Sequence, residues 1–128
     1  MTDLEKLAQH VEALDGDDWQ TRCEIATALG WTSKQVGQVI AWYAPGDPHM
    51  KAGPPKWLTS IDEALTLVPK GLVYNLGNET AFCWANVWDD TPDYDGEPYE
   101  GHASTHPCAI VAACLRAHAQ LKDQTNDQ

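Results

Sequence analysis

Residues Ile25–Ile40 read IATALGWTSKQVGQVI, and how they fold decides what the N-terminal third of the chain is. Ala26, Gly30, Val36 and Val39 fall where a helix-turn-helix places a small residue, a turn glycine and two core contacts. Ile25, Leu29 and Trp31 fit its accessory apolar positions. The small residue lets two helices cross closely, and glycine permits the sharp turn. In this reading Thr32 or Ser33 caps a helix that presents Val36, Val39, Ile40 and Tyr43 on one face. Ser33, Lys34, Gln35 and Gln38 then form its outward, DNA-reading set.

Charge argues against that use. Residues 1–43 hold seven acids and three bases, and the proposed reading helix has no arginine. The whole chain of 128 residues carries −11, which repels phosphate backbones and anionic membranes. Spacing alone therefore signals two crossing helices more strongly than it signals DNA.

Outward from this stretch, Thr2 and Glu5 make a capping box, and Leu4, Leu7, Val11 and Leu14 follow at helical spacing. Asp15–Asp18 separates that helix from a second, with Trp19, Cys23, Ala26 and Leu29 on one face and Gly30 stopping it. Residues 44–56 hold four prolines and two glycines and read as an irregular connection. A short helix starts at Ser60, with Glu63 completing its capping box. Leu72–Leu76 and Thr80–Trp88 read as two strands around a Gly77-Asn78 turn. Both faces of the second strand are mostly apolar, which suits cover on both sides. Asp89–Glu100 holds six acids and no base and reads as a solvated loop. A proline-initiated helix follows, with Val111, Cys114, Leu115, His118 and Leu121 inward.

The expected organisation is a helical region over 1–43, the connection 44–56, an α-β-β-α unit over 57–122 and a flexible tail 123–128. The fold class is α+β, an α/β sandwich. No apolar run is long enough to span a membrane and no signal peptide is visible, so a cytoplasmic setting is expected. Cys23, Cys83, Cys108 and Cys114 form no Cys-x-x-Cys pair and read as reduced core residues.

The second half resembles the phage ABA sandwich domain, a family of small phage and prophage proteins. The likeness rests on PPKWLTSIDEALTLVPKGLVY (54–74), on HASTHPCAIVAACLRA (102–117) and, weakly, on Glu24–Trp31. It implies a sheet between helical layers, and it explains Ile25–Trp31 as the helix and turn that lead into the sandwich. It implies no activity.

Chemistry-bearing constellations are sparse. His102, His106 and Cys108 supply metal-ligand types without an obvious fourth ligand. Asp93, Asp95 and Gly96 match part of a calcium loop, but Thr91 and His102 occupy its first and twelfth positions. Neither set is expected to hold a metal, no nucleophile elbow or phosphate-cradling loop appears, and no cofactor is implied. The remaining binding candidates are Trp57, Trp84, Trp88, Tyr94 and Tyr99, with Trp57 and Tyr99 expected to be the most exposed, and the acidic loop itself.

The expected role is a non-enzymatic phage or prophage accessory protein of counter-defence type. It would bind a host protein through its acidic surface, or a nucleotide-like defence signal by aromatic stacking, between subunits of a homo-oligomer. The alternative is a small DNA-binding regulator reading through Ser33, Lys34, Gln35 and Gln38.

Overall fold

The computed structural model describes residues 3–91 and 96–126, the last five through their backbone alone. In chain order the elements are α1 (Asp3–Glu12), α2 (Trp19–Ala28), β1 (Thr32–Val36), β2 (Val39–Tyr43), α3 (Ile61–Leu65), β3 (Val73–Asn78), β4 (Cys83–Trp88), β5 (Tyr99–Ala103) and α4 (His106–Asn126). The fold is α+β, with one two-stranded and one three-stranded antiparallel sheet.

The centre is α4. Its alanines favour helix and let neighbours approach closely, and every residue from Cys108 to Leu115 is buried. The sheet β3-β4-β5 lies along one side of it, and α1 and α3 pack on others. The implied order of layers is thus corrected: a helix lies between sheet and helices, rather than a sheet between helices. Gly101 of β5 sits against the α4 backbone, where a Cβ would stand 2.8 Å from Ala113 N and closer still to the Ala109 carbonyl oxygen.

The sheet contains one strand more than expected. Tyr99–Ala103 pairs with β4 in the register Cys83↔Ala103 to Val87↔Tyr99, so the acidic stretch ends inside the sheet rather than in a loop. The first turn also shifts: β3 runs on to Asn78, and Glu79 N–H donates to Phe82 O at 2.8 Å. Among the described residues, only one face of the sheet is covered by a helix. Ala85, Val87, Gly101 and Ala103 face α4 and are buried, while Trp84, Asn86 and Trp88 turn to the other side.

α2 starts on an Asp18 cap whose carboxylate accepts from Thr21 N at 3.0 Å. It ends in a Schellman arrangement, with Trp31 N donating to Ala26 O, Gly30 N donating to Thr27 O, and Gly30 at φ +96°. This helix buries Thr21, Arg22, Ile25 and Ala26, and Cys23 and Leu29 pack partly buried on the core, so of the expected face only Trp19 departs and points outward.

The helix expected over 32–43 is not formed. Those residues make a β-hairpin in the register Thr32↔Tyr43 to Val36↔Val39. Its turn is Gly37-Gln38, with Gly37 at φ +63° and Gln38 at negative φ, the type II′ geometry that matches strand twist. Thr32, Val36, Val39, Ile40, Trp42 and Tyr43 are β-branched or aromatic, the types that pack well on a pleated surface. Trp42 anchors the hairpin: it is buried, and its backbone exchanges two 2.9 Å hydrogen bonds with Lys51. Beyond that anchor the hairpin projects, and every residue from Thr32 to Ile40 is exposed. At the other end of the chain, α4 continues to Asn126, past the expected start of the tail.

Candidate functional site

Ser33, Lys34, Gln35 and Gln38 lie on the hairpin and its turn, so no recognition helix carries them. The helix-turn-helix reading is corrected on that ground, because its second helix is the element that enters the groove. Strand alternation puts Lys34 with Val36 on one face and Ser33 with Gln35 on the other.

The aromatic set does not form one site. Trp57 is 1% exposed and meets Trp31 edge-on with ring centroids 5.8 Å apart. It belongs to the core, contrary to the exposure expected of it, and its buried Nε1 has no hydrogen-bond partner among the described residues. Tyr99 is half-buried against the core on the α4 side of the sheet, so it too departs from the expected exposure. Trp84 and Trp88 do share a face, the one turned away from α4, and both are half-buried. The Trp84 ring lies across Gly77, where a Cβ would stand 2.5 Å from it. Tyr94 lies outside the described residues, as do Asp93 and Asp95 of the calcium-like loop.

The structure separates the suspected metal ligands. His102 is exposed on β5 and meets Phe82 edge-on at 5.2 Å. The His106 ring nitrogen Nε2 is 3.2 Å from Gly77 O. Cys108 is buried beside Leu58 O. Burial raises the thiols of Cys23 and Cys108 above their ordinary value and pushes Cys114 up to about 12, so these thiols stay protonated at neutral pH.

A charged cluster joins α1, α4 and β5 beside a cleft of about 630 Å³. Arg116 Nε donates to Glu5 at 3.0 Å, and its two terminal nitrogens donate to Glu12 at 2.7 and 2.8 Å. Arg116 Nη1 also donates to Glu100 O at 2.7 Å, and His102 N–H donates to Glu12 Oε2 at 2.8 Å. Burial by itself would raise the Glu12 carboxyl. The hydrogen bonds from Arg116 and the His102 backbone, with the guanidinium charge, more than offset that and hold it below its ordinary 4.5. The guanidinium is occupied on three sides, so it is spent on structure rather than offered to an anion.

Four of the large exposed apolar side chains converge elsewhere. Trp19 is 52% exposed, Val39 60%, Ile40 55% and Met50 60%. Together with Lys51 and Ala52 they line a groove of about 470 Å³ between α2, β2 and the residues after the Pro/Gly connection begins. Trp19 is exposed yet braced. The Arg22 guanidinium stacks on its ring at 5.0 Å, and Gly53 approaches so closely that a Cβ there would stand 2.6 Å from the ring. Arg22 is itself buried and fixed by Pro54 O at 2.5 Å and Pro55 O at 3.2 Å. Sequence reading missed this groove, because it assigned Trp19 inward and residues 39–40 to a helix.

Compared with models of known protein families, with curated proteins and with solved structures, the chain matches none of them. Among the described residues, no helix is long and apolar enough to cross a membrane.

Proposed function

We propose that this chain is a non-enzymatic phage or prophage accessory protein that acts in the host cytoplasm by binding a host protein. The observation that carries the reading is the groove at Trp19, Val39, Ile40 and Met50. Four large apolar side chains, each more than half exposed, stand together instead of being scattered over the surface. Contiguous exposed apolar surface costs solubility and marks an interaction site when polar residues rim it. A braced tryptophan is a good anchor, because little side-chain freedom is lost on binding. The phage setting rests on the resemblance carried by residues 54–74 and 102–117. The contact surface moves from the acidic loop to the hairpin side of the molecule.

Ile40→Asp is the test. Ile40 lies in the groove and outside the core, so the variant should fold and melt like the parent. It should bind a retained host protein about 30-fold more weakly, the ~2 kcal/mol typical of a central contact residue. Immobilised parent and variant would be exposed to the same host lysate and the retained proteins identified. Identical retention by both chains would sink the reading.

A second reading has its own support. Trp84 and Trp88 share the sheet face that no described helix covers, and a nucleotide-like ligand could stack there. It predicts that an added nucleotide raises the melting temperature, and that Trp84→Ala abolishes the rise.

A further inference from the structure

All of the groove's walls except Trp19 come from a part of the chain whose charge is opposite to the rest. Residues 25–61 contain Lys34, Lys51 and Lys56 against the single acid Asp47, a net +2, while the remaining residues carry −13. Lys51 is itself a wall of the groove. Lys34 stands across the strand pair from Ala41, beside Val39. Lys56, Arg22 and Glu63 line the neighbouring depression, which shares Trp19 and Ala52 with the groove. Asp47 lies 2.8 Å from His49 Nδ1 and 3.9 Å from Lys51, so one acid stands beside the lysine of the groove wall. The one charged side chain in the wall of this apolar groove is therefore a lysine, Lys51, in an otherwise acidic protein.

We propose that this groove receives an acidic amphipathic segment of the partner protein. Its bulky apolar side chains would lie on Trp19, Ile40 and Met50, and a carboxylate would meet Lys51. The inference rests on the binding reading above and names the partner's chemistry. A basic segment would meet like charge at the rim, and like-charge contact is an efficient way to reject a partner. A second copy of this chain fits less well. A two-fold pairing centred on the β1 edge sets Lys34 beside its own mate, and a lysine on an edge strand is a common guard against self-pairing. Each copy would also bring a charge of −11. The volume of about 470 Å³ suits a few large side chains, not a whole folded element.

Two labelled peptides of one apolar pattern test this, with Leu and Phe alternating with Glu in one and with Lys in the other. Fluorescence anisotropy should show the Glu peptide binding the parent chain at least about tenfold more tightly than the Lys peptide, weakening as salt rises. Lys51→Glu should reverse or erase that preference. Gly53→Ala is the sharper variant. Its methyl group forces the Trp19 ring aside, which an exposed ring can do without disturbing the core. It should melt like the parent and lose about tenfold in affinity for the Glu peptide. Equal affinity for the two peptides overturns the proposal, and so does parent-like binding by Gly53→Ala. A concentration-dependent dimer, seen by sedimentation and abolished by Ile40→Asp, overturns it in favour of a second copy. If the Glu peptide fails while the parent but not Ile40→Asp still retains a host protein, the binding reading stands and the acidic segment falls. If Ile40→Asp retains all that the parent does, the reading itself falls.

Discussion

Gly101→Ala is expected to lower the melting temperature by about 10 °C or more. The new methyl group would enter the crossing of β5 and α4, within 2.8 Å of Ala113 N and nearer still to the Ala109 carbonyl oxygen. Both obstacles are backbone atoms of the central helix, so no side chain can rotate away to make room. Relief requires α4 to move off the sheet, and that loosens its contacts along β4 and β5 at once. Overpacking a core costs about 1–3 kcal/mol, occasionally more, and a backbone obstacle puts this site at the upper end. At roughly 3–4 °C per kcal/mol for a chain of this length, the shift follows. Gly16→Ala is the control: its Cβ would meet nothing within 4 Å, so that variant should melt with the parent. Thermal unfolding by circular dichroism checks both. A Gly101→Ala protein melting within about 2 °C of the parent would mean that strand and helix are not in this close contact.

Why was this crossing legible only in part? The helical periodicity of Leu4, Leu7 and Val11 and the alanine-rich run after Pro107 point to α1 and α4 directly, since each buries a repeating face. Ser60 caps α3 as its sequence suggests, accepting from Glu63 N at 3.2 Å. The third strand, Tyr-Glu-Gly-His-Ala, has weak intrinsic preference for a strand and follows an acidic stretch. Its place is fixed by contacts with β4 and α4, which lie far along the chain or after it. The hairpin β1–β2 failed for a different reason. Val36, Val39, Ile40 and Tyr43 recur at three, four and seven residues, which a helix uses on one face. The same residues suit two strands folded at Gly37-Gln38. A glycine between two valines, within a run of β-branched and aromatic residues, was the local signal for the second reading. The groove was less visible still. It is assembled from residues 19, 39–41 and 50–52, three segments that share no motif and meet because Trp42 pairs with Lys51 and Gly53 packs on the Trp19 ring. Trp57, set between prolines and a short helix, looked like a surface aromatic. The Trp31 side chain that covers it is 26 residues away.

Arg116→Met should cost about 2–3 kcal/mol at pH 7 and much less at pH 4. The guanidinium binds α1 through Glu5 and Glu12 and binds β5 through Glu100 O, so one side chain holds three elements together. Methionine keeps much of the apolar stem but leaves two carboxylates facing each other without a cation. Breaking a fully buried pair costs about 3–5 kcal/mol. These side chains retain 20–31% of their exposure, and solvent screening lowers the figure. The sign of the pH dependence separates charge from packing. In the parent, Glu12 titrates below its ordinary 4.5, so its contribution is present above that value and fades as pH falls through the lower folded pKa. In the variant the guanidinium is gone and burial is opposed by the His102 N–H, so the Glu12 pKa moves up from its parent position and the stabilisation it gave above 4.5 is reduced. The gap between the two proteins therefore narrows as pH falls from 7 to 4. Urea unfolding of both at several pH values measures it. A gap that stays constant across that range would assign the loss to the packed stem of Arg116 instead of its charge. Arg116→Lys adds a geometric check: it restores the charge but cannot span Glu5, Glu12 and Glu100 O together, so it should recover only part of the stability at pH 7.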